Sequence, residues 1–167
     1  ACGVPVVSDG VRSEDEHNLK GYYEHEKVRH WALDARWLEE QRGKAVKIVE
    51  PLLRQAPLPK GRKVVVRMHR DLDAVLQSQR RMKGNEQVPL GLREKVNWSE
   101  EFEKTALVLE LDPYTEIIDL SFDSLLQAAE CGEISSELEH ALEALGSAVN
   151  KKVDISLLKT VISPQLR

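Results

Sequence analysis

The chain is poor in the features that most readily announce a function. Its two cysteines, Cys2 and Cys131, lie far apart and outside any C-x-x-C pattern. Neither a disulfide framework nor a structural zinc site is expected, and reduced intracellular thiols fit best. His17, His25 and His30 are not spaced with carboxylates in a way that would hold a metal. No apolar run approaches the roughly 20 residues that span a bilayer. No basic-then-apolar leader opens the sequence either, so a cytoplasmic setting is the expectation. G-x-G-x-x-G, G-x-x-x-x-G-K-[ST] and G-x-S-x-G are all absent, which excludes an intact P-loop NTPase signature in this chain. The net charge of −4 gives no general pull towards nucleic acid or an anionic membrane, so any anion site has to be local. The basic run Arg80, Arg81 and Lys83 is too short to argue for nucleic acid and suits a helix C-terminus. The chain also opens without methionine, on ACGVPVVSDG, and the expectation is of a domain entered part-way through.

What is present reads as one α/β domain over residues 1–167, long enough for a real core. Residues 1–23 are rich in turns, punctuated by Gly3, Pro5, Gly10 and Gly21. Residues 24–40 place Val28, Trp31, Ala32, Ala35 and Leu38 on one helical stripe, closed by Gly43. A short strand is expected at 45–49, a brief helical piece from Pro51, and a buried strand at 63–68 with Val64, Val65 and Val66. A helix follows from Asp71 to about Lys83, then a loop over 84–91 and a long helix to about Glu110, stopped by Asp112-Pro113. A third strand at 116–120, a helix at 122–130 and a last helix at 134–149 complete the pattern. Strands separated by helices imply a parallel sheet flanked by helices on both faces. Three short strands make a thin sheet for so many helices, and its exposed edge favours a homo-oligomer.

The most informative stretch is 63–82, KVVVRMHRDLDAVLQSQRRM. A strand that feeds a helix through a basic turn suits an anion, because helix-start N–H groups and an arginine converge on it. Asp71 is a good N-cap, and Ser78, seven residues on, returns to nearly the same side of the helix. Arg70 and Ser78 are therefore candidates for one pocket. The bland alternative is an arginine paired with Asp71 or Asp73 and a mid-helix serine without a role. A second candidate is the run Gly21-Tyr22-Tyr23-Glu24-His25-Glu26, where histidine or glutamate suits a general base. An acidic first helical turn explains the same residues equally simply.

At Arg70 and Ser78 a specific resemblance emerges. KVVVRMHRDLDAVLQSQ resembles the second cofactor motif of the sulfotransferase family, where an arginine after a strand and a serine eight positions later hold the 3′-phosphate of 3′-phosphoadenosine 5′-phosphosulfate. DEHNLKGYYEHEKV is similar to the DE-x-N-P-x-G-Y-[FY]-E segment of bacterial sulfotransferase-like proteins, with Leu19 in place of proline. GKAVKIVEPLL is similar to the next stretch of that group, and EIIDLSFDSLLQ resembles its later V-x-Y-E-D-L element. The resemblance implies a three-layer, P-loop-like sulfotransferase fold without its N-terminal strand and 5′-phosphosulfate loop, which would precede Ala1. It implies 3′-phosphoadenosine 5′-phosphosulfate as donor, a small-molecule or carbohydrate acceptor, and no metal, nucleic acid or membrane partner. Where cytosolic members carry K-T-H-x-P, this chain reads Lys47-Ile48-Val49-Glu50-Pro51. Val49 replaces the family's catalytic histidine, so the resemblance assigns Lys47 and Glu50 as catalytic residues, with Glu50 as base. The family's R-x-G-x-x-G-D-W-K signature is missing. The expected chemistry is in-line sulfuryl transfer to a hydroxyl or amine, impaired in this chain. Two alternatives are a non-catalytic phosphate-binding or interaction module on the same scaffold and a kinase-like phosphotransferase.

Overall fold

In a computed structural model of the protein, the described residues are 3–14, 22–30, 32–34, 36–54, 58–84 and 91–157, with Ile155 described by its backbone alone. Cys2, His17, Leu19, Gly21, the loop centre at 85–90 and the tail from 158 lie outside them. The chain runs through a 3₁₀ turn (Glu26–His30), α1 (Arg36–Glu39), α2 (Glu50–Leu53), β1 (Lys63–His69), α3 (Leu72–Met82), α4 (Leu92–Glu110), β2 (Thr115–Ser121), α5 (Phe122–Cys131), α6 (Ser136–Ala148) and a last 3₁₀ turn (Ile155–Leu157). This is a mixed α/β structure.

Its sheet is small. β1 and β2 pair in parallel, from Lys63 opposite Thr115 to His69 opposite Ser121. Parallel strands need a long crossover, and α3 and α4 supply it. Val64, Val65 and Val66 favour the strand through their restricted β-branched side chains. Along β2, Ile118 and Leu120 point to one face and are buried there. Leu120 packs with Leu125 and Ala128 of α5 and Leu138 and Leu142 of α6, which form the main core. The C-terminal end of α4 approaches the opposite face, where Glu110 lies 3.9 Å from Arg67 and Asp112 lies 2.5 Å from Lys63.

The helix ends follow local chemistry. Asp71 accepts a hydrogen bond from the Ala74 N–H at 2.9 Å, Ser121 one from Ser124, and Ser135 one from Leu138. Gly132 stops α5 in the left-handed conformation, with φ 78°.

Three expectations differ from the structure. The segment 45–49 is not a strand: Ala45 makes a single bridge to Val6 and Lys47 turns towards Tyr22. Gly43 in a turn on one side and Pro51 at the start of α2 on the other leave it too short to extend a ladder. The helix expected over 24–40 is instead a 3₁₀ turn and the short α1. Its start is diverted by side chains, since Asp9 accepts from the Glu26 N–H at 2.6 Å and His25 from the Lys27 N–H at 3.2 Å. Of its stripe, Val28 is buried and Ala32 exposed, while Trp31 and Ala35 lie outside the described residues. Finally, β1 is not a buried strand. Val64 and Val65 are half-buried and Val66 is 42% exposed, because α5 and α6 pack on β2 and leave β1 at the sheet's edge.

Candidate functional site

β1 ends at His69 and β2 at Ser121, opposite each other in register. Both strands then enter helices at once, so α3 and α5 begin at the same end of the sheet. Ligands of open α/β sheets bind at this carboxyl end, where helix N-termini add partial positive charge. Arg70 occupies the step from β1 into α3, and its guanidinium carbon lies 4.6 Å from the ring centroid of Phe122, the first residue of α5. The cavity beside it measures about 480 Å³ and is lined by Arg70, Ala74, Phe122, Asp123, Gln127 and Glu130, with Leu126. One cation and two carboxylates therefore face the same space.

Around the corner of β1 lies a cluster that the sequence pattern did not single out. Arg67 donates to Asp119 through Nε at 2.6 Å and Nη2 at 2.9 Å, a two-pronged pair between register partners on adjacent strands. His69 Nε2 approaches the same carboxylate at 2.6 Å. Arg67's hydrogen bonds are the main cause that holds the Asp119 carboxyl down to about 2, with His69 adding to them against a desolvation cost. Asp119 in turn raises the Arg67 guanidinium. Alternation alone puts Arg67 and His69 on one face of β1; that Asp119 shares this face follows only from the register of the two strands.

The sequence-assigned residues fall into separate neighbourhoods. Arg70 lines the strand-end cavity; Ser78, half-buried in α3, is not among its lining residues. Lys47 donates to the Tyr22 carbonyl at 3.0 Å and to Glu24 at 3.1 Å. Glu50 opens α2, accepts from the Thr105 hydroxyl of α4, and lies 3.5 Å from Arg54 Nε, while Arg54 also pairs with Glu101. The Thr105 hydrogen bond makes Glu50 a tie between α2 and α4, with Arg54 as its ion-pair partner, while Glu50 Oε2 is buried without a hydrogen-bond partner among the described residues. Neither Lys47 nor Glu50 lines the cavity beside Arg70.

The acidic–aromatic–histidine run borders a second cavity of about 430 Å³, lined by residues including Asp9, His25, His30, Asp34 and Trp37. Here His25 stacks on Trp37 with centroids 4.8 Å apart. The Val11 and Glu26 N–H groups hold the Asp9 carboxyl below the usual carboxylate range. Tyr22 is buried, with the Arg12 guanidinium 3.3 Å from its ring centroid. Among the described residues no group of three or more histidines, cysteines or carboxylates is placed to hold a metal ion. Among them too, no helix is long and apolar enough to cross a membrane.

A scan against protein-family models and searches of curated proteins and of solved structures give no match to this chain.

Proposed function

We propose that the chain binds a phosphate-bearing adenine nucleotide at the carboxyl end of its sheet, as part of sulfuryl transfer from 3′-phosphoadenosine 5′-phosphosulfate to a hydroxyl or amine acceptor. In this reading the parallel pair β1–β2 belongs to a three-layer, P-loop-like arrangement, and Arg70 with Ser78 takes the 3′-phosphate. The observation that carries it is the position of Arg70, at the junction of β1 and α3 where the starts of two helices meet. An arginine there can present paired N–H donors to a phosphate. The nucleotide's 3′-phosphate would have to draw the Arg70 side chain from Phe122 towards Ser78. On the acceptor side the reading assigns proton removal to Glu50 and charge stabilisation to Lys47. Glu50 would act as base while it accepts from Thr105 and is ion-paired with Arg54.

Isothermal titration with 3′-phosphoadenosine 5′-phosphate tests the nucleotide site. A charge-assisted contact contributes about 1.5–3 kcal/mol, so Arg70→Ala is expected to weaken binding roughly 10- to 100-fold. Asp123→Asn is expected to strengthen it, because it removes an anion from the same cavity. No heat with the unaltered chain, or unchanged affinity in Arg70→Ala, defeats the reading.

One observation favours a second reading, a non-catalytic phosphate-binding module: Lys47 and Glu50 do not meet Arg70's cavity. Nucleotide binding without sulfuryl transfer to any acceptor, unchanged in kind by Glu50→Gln, would select it.

A further inference from the structure

Among the described residues β1 is an edge strand with one side open: β2 is the strand paired with it, and the helices that cover the sheet pack on β2. The apolar layer formed by Ile118 and Leu120 continues onto β1 as Val66 and Met68, their register partners, and there it ends in solvent. Val66 is 42% and Met68 51% exposed. β1 holds no proline and pairs with β2 without a bulge, so two usual protections of an edge are missing.

The ladder's parity decides which backbone groups face outward. The Lys63 N–H donates to the Tyr114 carbonyl at 2.9 Å. In a parallel pair such residues alternate, so Lys63, Val65, Arg67 and His69 direct their backbone groups to β2. Val64, Val66 and Met68 direct theirs to the open edge. The exposed apolar side chains of Val66 and Met68, and the half-buried one of Val64, thus belong to the residues whose backbone groups face outward.

We propose that this edge pairs with a second copy of itself, antiparallel about a two-fold axis through Val66. In that register Val66 faces its own copy and Val64 faces Met68, so every outward N–H within the strand finds an outward carbonyl. Shifting the axis to Val65 or to Arg67 leaves one of the three without an in-strand partner. The first shift also places Lys63 opposite Arg67, and the second places Arg67 opposite itself. The central register avoids both like-charge pairs, and Lys63 and Arg67 bring their own acids, Asp112 and Asp119. The result is a continuous sheet of both copies with one unbroken apolar stripe, an isologous interface.

Sedimentation velocity on the full chain over a micromolar concentration series reads the proposal. A reversible dimer is expected, and Val66→Lys or Val66→Glu alone is expected to weaken it at least about tenfold, since like charges then meet on the axis. Mixing the two variants is expected to restore a dimer, because only a residue opposite its own copy can be rescued in this way. Hydrogen exchange on the unaltered chain gives a reading that does not depend on variants: the Val64, Val66 and Met68 amides gain protection as concentration rises. A monomer at every concentration overturns the proposal, as does a dimer indifferent to both substitutions or one the mixture does not restore. Dimerisation lost in Leu111→Lys but kept in Val66→Lys would move the interface to the exposed apolar end of α4 and overturn it too.

Discussion

At the scale of single residues, Asp119 is the most heavily engaged side chain at the sheet's carboxyl end. Arg67 and His69 both bind its carboxylate, and its folded-state value of about 2 lies below the ordinary 3.8. A depressed carboxyl stabilises the fold above its unfolded value and loses that contribution as pH falls through the folded one. The loss should therefore fall between about pH 4 and pH 2. An unscreened drop of this size corresponds to roughly 2.5 kcal/mol; with 49% of the Asp119 side chain exposed, solvent screening leaves about 1 kcal/mol. Urea melts at both ends of that range are expected to show the stability gap between the unaltered chain and Asp119→Asn closing on acidification. A gap that stays constant would contradict the assignment. Arg70 and the Asp71 cap were legible in the sequence because their logic is local: a strand, a basic step and a capped helix. The Arg67–Asp119–His69 cluster was not, since it exists only once β1 and β2 are paired, and no spacing rule connects residues on separate strands.

At the scale of elements, the best-read pieces are those with their own start and stop signals. The helices α3, α4, α5 and α6 fall within a residue or two of the positions that caps, glycine and apolar spacing suggest. The segment 24–40 carried an acidic start, an apolar stripe and a closing Gly43, and 45–49 a short apolar run, but contacts from distant residues such as Asp9, Tyr22 and Val6 decided both. Two substitutions probe how elements are joined. Thr105 is 5% exposed on α4 and its hydroxyl donates to Glu50 on α2. Thr105→Val keeps the shape and removes the donor, so about 1–3 kcal/mol of stability should be lost in denaturant melts, without loss of nucleotide binding at Arg70. Gly146 sits in α6, where a Cβ would lie 2.8 Å from the Lys151 carbonyl oxygen. Glycine to alanine in a helix ordinarily stabilises by up to about 1 kcal/mol. Here Gly146→Ala is expected to lower stability instead, by about 1–3 kcal/mol, because the backbone of the following turn has to move. A rise in melting temperature would show that the turn yields freely.

At the scale of the whole molecule, the parallel α/β order was readable, whereas the extent of the sheet was not. Apolar runs indicate strands, but they do not say which will find a neighbour: 116–120 found one on β1, and 45–49 made a single bridge. The same arrangement that leaves β1 open on one side brings the starts of α3 and α5 together at its end, with Arg70 between them. The central claim is that this arginine recognises a nucleotide's 3′-phosphate. It is tested most directly by the ratio of two dissociation constants, for adenosine 5′-phosphate and for 3′-phosphoadenosine 5′-phosphate, each measured by titration on the unaltered chain and on Arg70→Ala. The account predicts that the 3′-phosphorylated nucleotide binds at least about tenfold tighter to the unaltered chain, and that the preference collapses towards unity in Arg70→Ala. Equal affinity for the two nucleotides, or a preference that survives the loss of Arg70, would contradict it.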